Sequence, residues 1–203
     1  MKLLLTSNGF YTNEIREQFL QLINGDIKTL NVAIITTASP LKEKNQFAQK
    51  ARNDFKEMGF RNINFIDVEF ESPESLLNKD VIYINGGNPF HLLFHMKKSG
   101  ADRMMQKMSA KDVVIVGVSA GSVILGPHIK VVQFFTPQMN VHDMQDLTAL
   151  RLTDILFFPH YDREDLFRSS DHKSIEERLK EFESMENCQV TRLKDDEYLV
   201  IEI

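Results

Sequence analysis

Five short, almost continuously aliphatic runs constrain this chain most: KLLLTS (2–7), NVAIITT (31–37), INFIDV (63–68), DVIYINGG (80–87) and KDVVIVGVS (111–119). Strands that are apolar at successive positions need cover on both faces, which is the condition of a parallel sheet between two helical layers. The intervening segments carry a helical period. EIREQFLQLI (14–23) aligns Ile15, Phe19, Leu22 and Ile23 on one face. KEKNQFAQKARNDFKEMGF (42–60) places Phe47, Ala51, Phe55 and Met58 inward, with Gly59 as its stop. HLLFHM and ADRMMQKM supply helix between the last two strands. This order implies right-handed crossovers and an α/β fold: a three-layer αβα architecture with a mostly parallel sheet.

Beyond residue 126 the pattern loosens. KVVQFF (130–135) and DILFFPHY (154–161) read as strands, and SIEERLKEFESM (174–185) as a helix. CQVTRL (188–193) and EYLVIEI (197–203), split by KDDE, read as a closing hairpin. No repeat, low-complexity tract or Pro/Gly-rich linker divides the 203 residues, so a single domain over 1–203 is expected. A net charge of −5 argues against nucleic-acid and anionic-membrane partners. The single Cys188 excludes an internal disulfide and a cysteine-rich zinc site. The three leucines of MKLLLTSNGF are too few for a secretory leader, and no run approaches the roughly 20 apolar residues of a membrane helix. A cytoplasmic location is expected.

The chemistry concentrates where the fifth strand ends. Gly117-Val118-Ser119-Ala120-Gly121 matches G-x-S-x-G, between an apolar strand and an apolar helical run. A sharp strand-to-helix turn lifts a serine Oγ above the sheet, and glycines let neighbouring chains pass close by. A tight turn with a buried serine is the plainer alternative. A nucleophilic serine needs a base. His160 follows ILFFP at a strand end, where parallel-sheet proteins gather active-site groups. His128, His142 and His172 lie in polar stretches and read as surface residues. His91 and His95 have a metal-compatible spacing but lack the Glu of H-E-x-x-H, so no metal or cofactor is expected. YINGGNPF (83–90) ends another strand in Gly86, Gly87 and Asn88, which would offer backbone N–H groups to the same cleft. It also reads as a phosphate-binding turn or a plain helix start capped by Asn88.

INGGNPFHLL, GVSAGSVIL and FFPHYDRED, in that order, resemble the S51 serine peptidases, the family of peptidase E and cyanophycinase. The resemblance implies a sheet similar to that of the class I glutamine amidotransferases, with serine where those enzymes carry cysteine. It implies Ser119 as nucleophile, His160 as base, Gly87 and Ala120 as oxyanion donors, and Gly86 and Asn88 beside the substrate. The family carries an acid on a late turn, and Asp195 in LKDDEYL is the best positional match. Asp196, Glu197, Asp162, Asp143 and Asp146 are rivals, and KDDE also reads as a solvated turn. Peptidase E is associated with an arginine that binds the substrate's aspartyl group. Ile175 stands in its place, with Arg178 and Arg163 out of register, so a preference for N-terminal Asp does not follow. The expectation is a peptidase E-type enzyme, monomeric or homodimeric, cleaving short peptides or related amides through an acyl-enzyme. An esterase of the α/β-hydrolase type and a non-catalytic binding relative are the alternatives.

Overall fold

A computed structural model describes residues 1–108, 111–168 and 171–203. Its main sheet has six strands in the order β3-β2-β4-β5-β1-β8. They are β1 (Lys2–Thr6), β2 (Asn31–Ile35), β3 (Asn62–Ile66), β4 (Val81–Ile84), β5 (Val114–Val118) and β8 (Tyr198–Glu202). All neighbours run parallel except β8, which pairs antiparallel with β1. The alternation of side chains along each strand divides two apolar layers. Leu3, Leu5, Ala33, Ile35, Ile82, Ile84 and Ile115 face one core, and Leu4, Val32, Ile34, Val81, Tyr83, Val114 and Val116 face the other.

Helices α1 (Asn13–Leu22) and α2 (Gln46–Glu57) cover the second layer, bringing Phe19 and Phe55 against Phe10, Phe60 and Tyr83 in a web of tilted and edge-on rings. Helices α3 (Pro89–Ser99) and α4 (Ala101–Lys107) cover the first with Phe90, Leu93, Met96 and Met105. The architecture is three-layer αβα. Capping sets the helix starts. Thr12 accepts from the Ile15 N–H, Asn45 from Phe47, and Asn88 from Phe90 and His91.

A second, two-stranded parallel sheet joins β6 (Leu156–Pro159) to β7 (Val190–Leu193). Together with α6 (Lys130–Phe135) and α7 (Ile175–Glu186) it encloses a small core of Val131, Phe135, Leu156, Phe158, Leu179, Phe182 and Val190. Residues 130–135 are therefore helix, not strand. Val131 and Phe135 are four apart and both buried, so packing on α7 and β6 overrides their β-branched and aromatic composition.

The closing hairpin is also absent. Lys194–Glu197 reverses the chain, but β7 continues the small sheet while β8 crosses to the open edge of β1, where Lys2 faces Glu202 and Thr6 faces Tyr198. An edge strand left unpaired at β1 would expose a row of backbone groups, and β8 covers it. Phe47, expected inward, is 55% exposed because the chain makes a short 3-10 turn at Lys42–Lys44 and α2 starts only after Asn45.

Candidate active site

The carboxyl ends of β1, β4, β5 and β6 bring the candidate residues together. Ser119 directly follows β5, with φ 49° and ψ −111°, a conformation non-glycine residues rarely adopt and one that costs about 1–3 kcal/mol. Neighbours hold it there. Its N–H donates to the Thr6 carbonyl at 2.9 Å. Three residues on, the Ser122 hydroxyl donates to the same carbonyl at 2.8 Å and accepts the Thr6 N–H at 3.1 Å. Helix α5 (Ala120–Val123) starts immediately, packed so tightly on β4 that a Cβ at Gly121 would collide with the Ile84 carbonyl oxygen. That contact accounts for the last glycine of G-x-S-x-G.

His160 follows β6, also in the left-handed region at φ 57°. Its Nε2 lies 3.0 Å from Ser119 Oγ and its Nδ1 2.5 Å from Asp195 Oδ1. Asp195 sits in the turn between β7 and β8 and is only 7% exposed. Its N–H donates to Asp162 Oδ1 at 3.0 Å, and its second carboxylate oxygen faces Arg163 Nη1 at 3.3 Å. The rival acids point elsewhere. Asp196 and Asp143 are exposed, Glu197 accepts from the Lys194 N–H, and Asp146 pairs with Lys97 at 2.7 Å. That ammonium and the Thr148 bonds hold the Asp146 carboxyl well below the usual range.

Sequence reasoning missed Ser7. Buried just beyond β1, its hydroxyl accepts the His160 N–H at 3.0 Å and donates to the Leu193 carbonyl at 2.8 Å, tying both strands of the small sheet to the main one. Its place at a strand end is the one signal that would have singled it out. Asp162, weighed as a rival acid, instead fastens the Asp195 turn.

Gly87 adopts φ 146°, and a Cβ there would collide with the Ala38 carbonyl oxygen, so the loop after β4 passes close to the one after β2. Asn88 has its carboxamide engaged at both ends: Oδ1 caps α3, and Nδ2 donates to the Met139 carbonyl at 2.8 Å. Ala120 opens the first turn of α5, where N–H groups lack an intrahelical partner.

Gly87, Ser119 and His160 line two adjoining cavities. The larger, about 580 Å³, also includes Gly86, Asn88, Asn8, Asn45 and the Lys50–Asp54 ion pair. The smaller, about 230 Å³, is walled by Val132, Phe135, Met139, Phe158, Leu166 and Phe167. No Lys or Arg is among the described residues that line this lobe. Ile175 is fully buried in the small core. Arg178 lies behind the lobe, donating to the Phe167 and Phe135 carbonyls with its guanidinium 4.0 Å from the Phe135 ring centroid.

Away from these cavities, His91 and His95 on α3 meet His142, and one ring nitrogen from each lies within 4.8 Å of the others. His142 is half-buried, not a surface residue, and so is His128; His172 is exposed. Burial pulls His95 and His142 below the ordinary imidazole value, against the opposing pull of Glu69.

Among curated proteins, the chain is 30% identical over 165 residues to an uncharacterized peptidase of Pasteurella multocida, spanning 79% of this chain and 78% of that protein. It is 25% identical over 187 residues to peptidase E of a Nostoc species, spanning 89% and 74%. Two solved structures share the fold. One is of a Listeria monocytogenes EGD-e protein, with TM-score 0.75 at 24% identity over 100% of this chain and 98% of that one. The other is a peptidase from an acI-B1 Actinobacterium, with TM-score 0.73 at 18% identity over 99% and 83%. Residues 3–202 match the sequence profile of peptidase family S51; the chain belongs to that family and is a serine-type peptidase.

Proposed function

We propose that this protein hydrolyses short peptides through an acyl-enzyme on Ser119. The observation that carries the reading is the continuous chain from Ser119 Oγ to His160 Nε2 at 3.0 Å and from His160 Nδ1 to Asp195 Oδ1 at 2.5 Å. A serine hydroxyl is a weak nucleophile until a base takes its proton. His160 takes it through Nε2 as Oγ attacks the scissile carbonyl carbon. Asp195 fixes the tautomer with the proton on Nδ1 and stabilises the imidazolium that forms.

The carbonyl oxygen becomes an oxyanion, received by the backbone N–H groups of Gly87 and Ala120. Collapse of the tetrahedral intermediate breaks the C–N bond, and the imidazolium returns its proton to the leaving amine. Water then enters, gives a proton to His160 and attacks the acyl-serine carbonyl. Expulsion of Ser119 Oγ, reprotonated by His160, releases the acid product. The strained serine backbone supports this role, because strain of this kind concentrates where a side chain must be presented in one direction.

The smaller lobe supports a substrate class. An aspartyl side chain there would be buried without a Lys or Arg partner, at a cost of several kcal/mol, whereas an apolar side chain meets Phe135, Phe158 and Phe167. The enzyme therefore takes short peptides with an apolar residue beside the scissile bond, held with the rest of the peptide in the larger lobe. Hydrolysis of a dipeptide library by wild type and Ser119→Ala tests the reading. Turnover by wild type that vanishes in a folded Ser119→Ala protein is expected. Retained turnover in that variant contradicts the serine mechanism.

A further inference from the structure

We propose that His91, His95 and His142, with Glu69 beside them, form a binding site for a divalent transition metal of the zinc class. The site lies outside the Ser119 cleft, and its residues come from three separate parts of the chain. His91 and His95 stand one turn apart on α3 and share a face, with ring centroids 4.5 Å apart. His142 arrives from the segment after α6 and is held flat on Phe94, with centroids 4.1 Å apart and planes 9° from parallel. That stacking fixes the ring's direction, and His142 Nε2 lies 2.9 Å from His91 Nδ1. Glu69, just beyond β3, faces His91 Nε2 at 3.4 Å and His95 Nε2 at 3.6 Å.

These separations suit a metal. Bonds of about 2.0–2.1 Å to tetrahedral zinc put ligand atoms roughly 3.3–3.4 Å apart; one nitrogen from each imidazole lies within 4.8 Å of the others, so rotation of the rings closes the three onto an ion, with Glu69 facing two of them from the side. Three imidazoles favour zinc, nickel or copper over magnesium or calcium, which prefer oxygen. Two imidazoles of α3 face one carboxylate and a third closes on them from a separate segment, which is more than a plain helix-to-loop contact needs. His95 is nearly buried while His91 and Glu69 stay partly open, which gives an ion a route in. Lys42 shares Glu69 but also pairs with Asp67 at 3.1 Å, so it keeps a partner when the carboxylate turns to an ion. Metal binding would clamp the segment carrying His142 to α3. Met139, on the same segment, lines the smaller lobe and accepts from Asn88.

Equilibrium dialysis of the purified, chelator-stripped full chain against Zn²⁺ tests the site directly. Wild type is expected to retain one zinc per chain, to bind Co²⁺ with the intense visible absorption of a four-coordinate site, and to melt at a higher temperature with Zn²⁺ present. His142→Ala and His91→Ala should each weaken Zn²⁺ binding by more than about 100-fold, beyond the loss typical of outer partners. His172→Ala, at an exposed histidine, should bind as wild type does. If circular dichroism shows His142→Ala misfolded, His142→Gln keeps a planar polar group on Phe94 and should show the same loss. Unchanged Zn²⁺ affinity in a folded His142 variant, or wild type without stoichiometric uptake, overturns the proposal.

Discussion

The His160 N–H donates to the Ser7 hydroxyl at 3.0 Å, so the imidazole is positioned from the end of β1 and not only by its own strand. The same hydroxyl donates to Leu193 beside the Asp195 turn, and one small side chain thereby sets the distance between His160 and its acid. Ser7→Ala leaves a donor and an acceptor without this partner in a buried place, at a cost of about 1–3 kcal/mol. The expected result is a lower melting temperature and a fall in kcat larger than any change in KM, since the hydroxyl's hydrogen bonds go to the His160 N–H and the Leu193 carbonyl. Unaltered kcat in Ser7→Ala would remove this role.

Asp195→Asn should lower kcat by about 10⁴ with little effect on KM, because the amide presents the wrong partner to His160 Nδ1. Asp162→Asn keeps an acceptor oxygen for the Asp195 N–H and should stay within about tenfold of wild type. Steady-state kinetics on the two variants separates orientation of the histidine from support of the turn. A larger loss in Asp162→Asn than in Asp195→Asn would reverse the assignment.

The legible and illegible parts of this molecule differ in physical kind. The central strands β1, β2, β4 and β5 were readable because they are buried on both faces and so carry long apolar runs. Ser119 and His160 were readable because they sit at the ends of such runs. The small sheet was not: VTRL is apolar only at its two ends, a pattern that suits many partners, and only packing decides that it pairs with LFFP. KVVQFF has strand composition yet is helical because Val131 and Phe135 share one buried face. Asp195 could be matched by position within LKDDEYL, but its burial depends on Asp162 and Arg163, more than thirty residues earlier. The third histidine beside His91 and His95 was invisible for the same reason, since His142 reaches them through a loop.

Gly121→Ala should destabilise the fold while leaving secondary structure intact. Its new methyl group meets the Ile84 carbonyl, a backbone atom at the end of the interior strand β4 that cannot move aside cheaply. Overpacking of this kind costs about 1–3 kcal/mol, which calorimetry would record as a melting temperature roughly 2–10 °C lower. A variant as stable as wild type would mean that α5 can shift from β4.

Among dipeptides, those with Leu, Met or Phe beside the scissile bond should exceed those with Asp by at least about 100-fold in kcat/KM, the scale set by a pocket that must bury an unpaired group. Competition assays with matched pairs measure the ratio. A preference for Asp would show that a cation reaches the smaller lobe in the complex and that Arg178 or Arg163 has left its present partners.

The central claim is that Ser119 is made nucleophilic by His160, and the rate of labelling by a fluorophosphonate probe measures this without knowledge of the natural substrate. Wild type should acquire one adduct, mapped by peptide mass spectrometry to Ser119, and labelling should be lost in both Ser119→Ala and His160→Gln. Labelling of His160→Gln at the wild-type rate, or an adduct on any other residue, would contradict it.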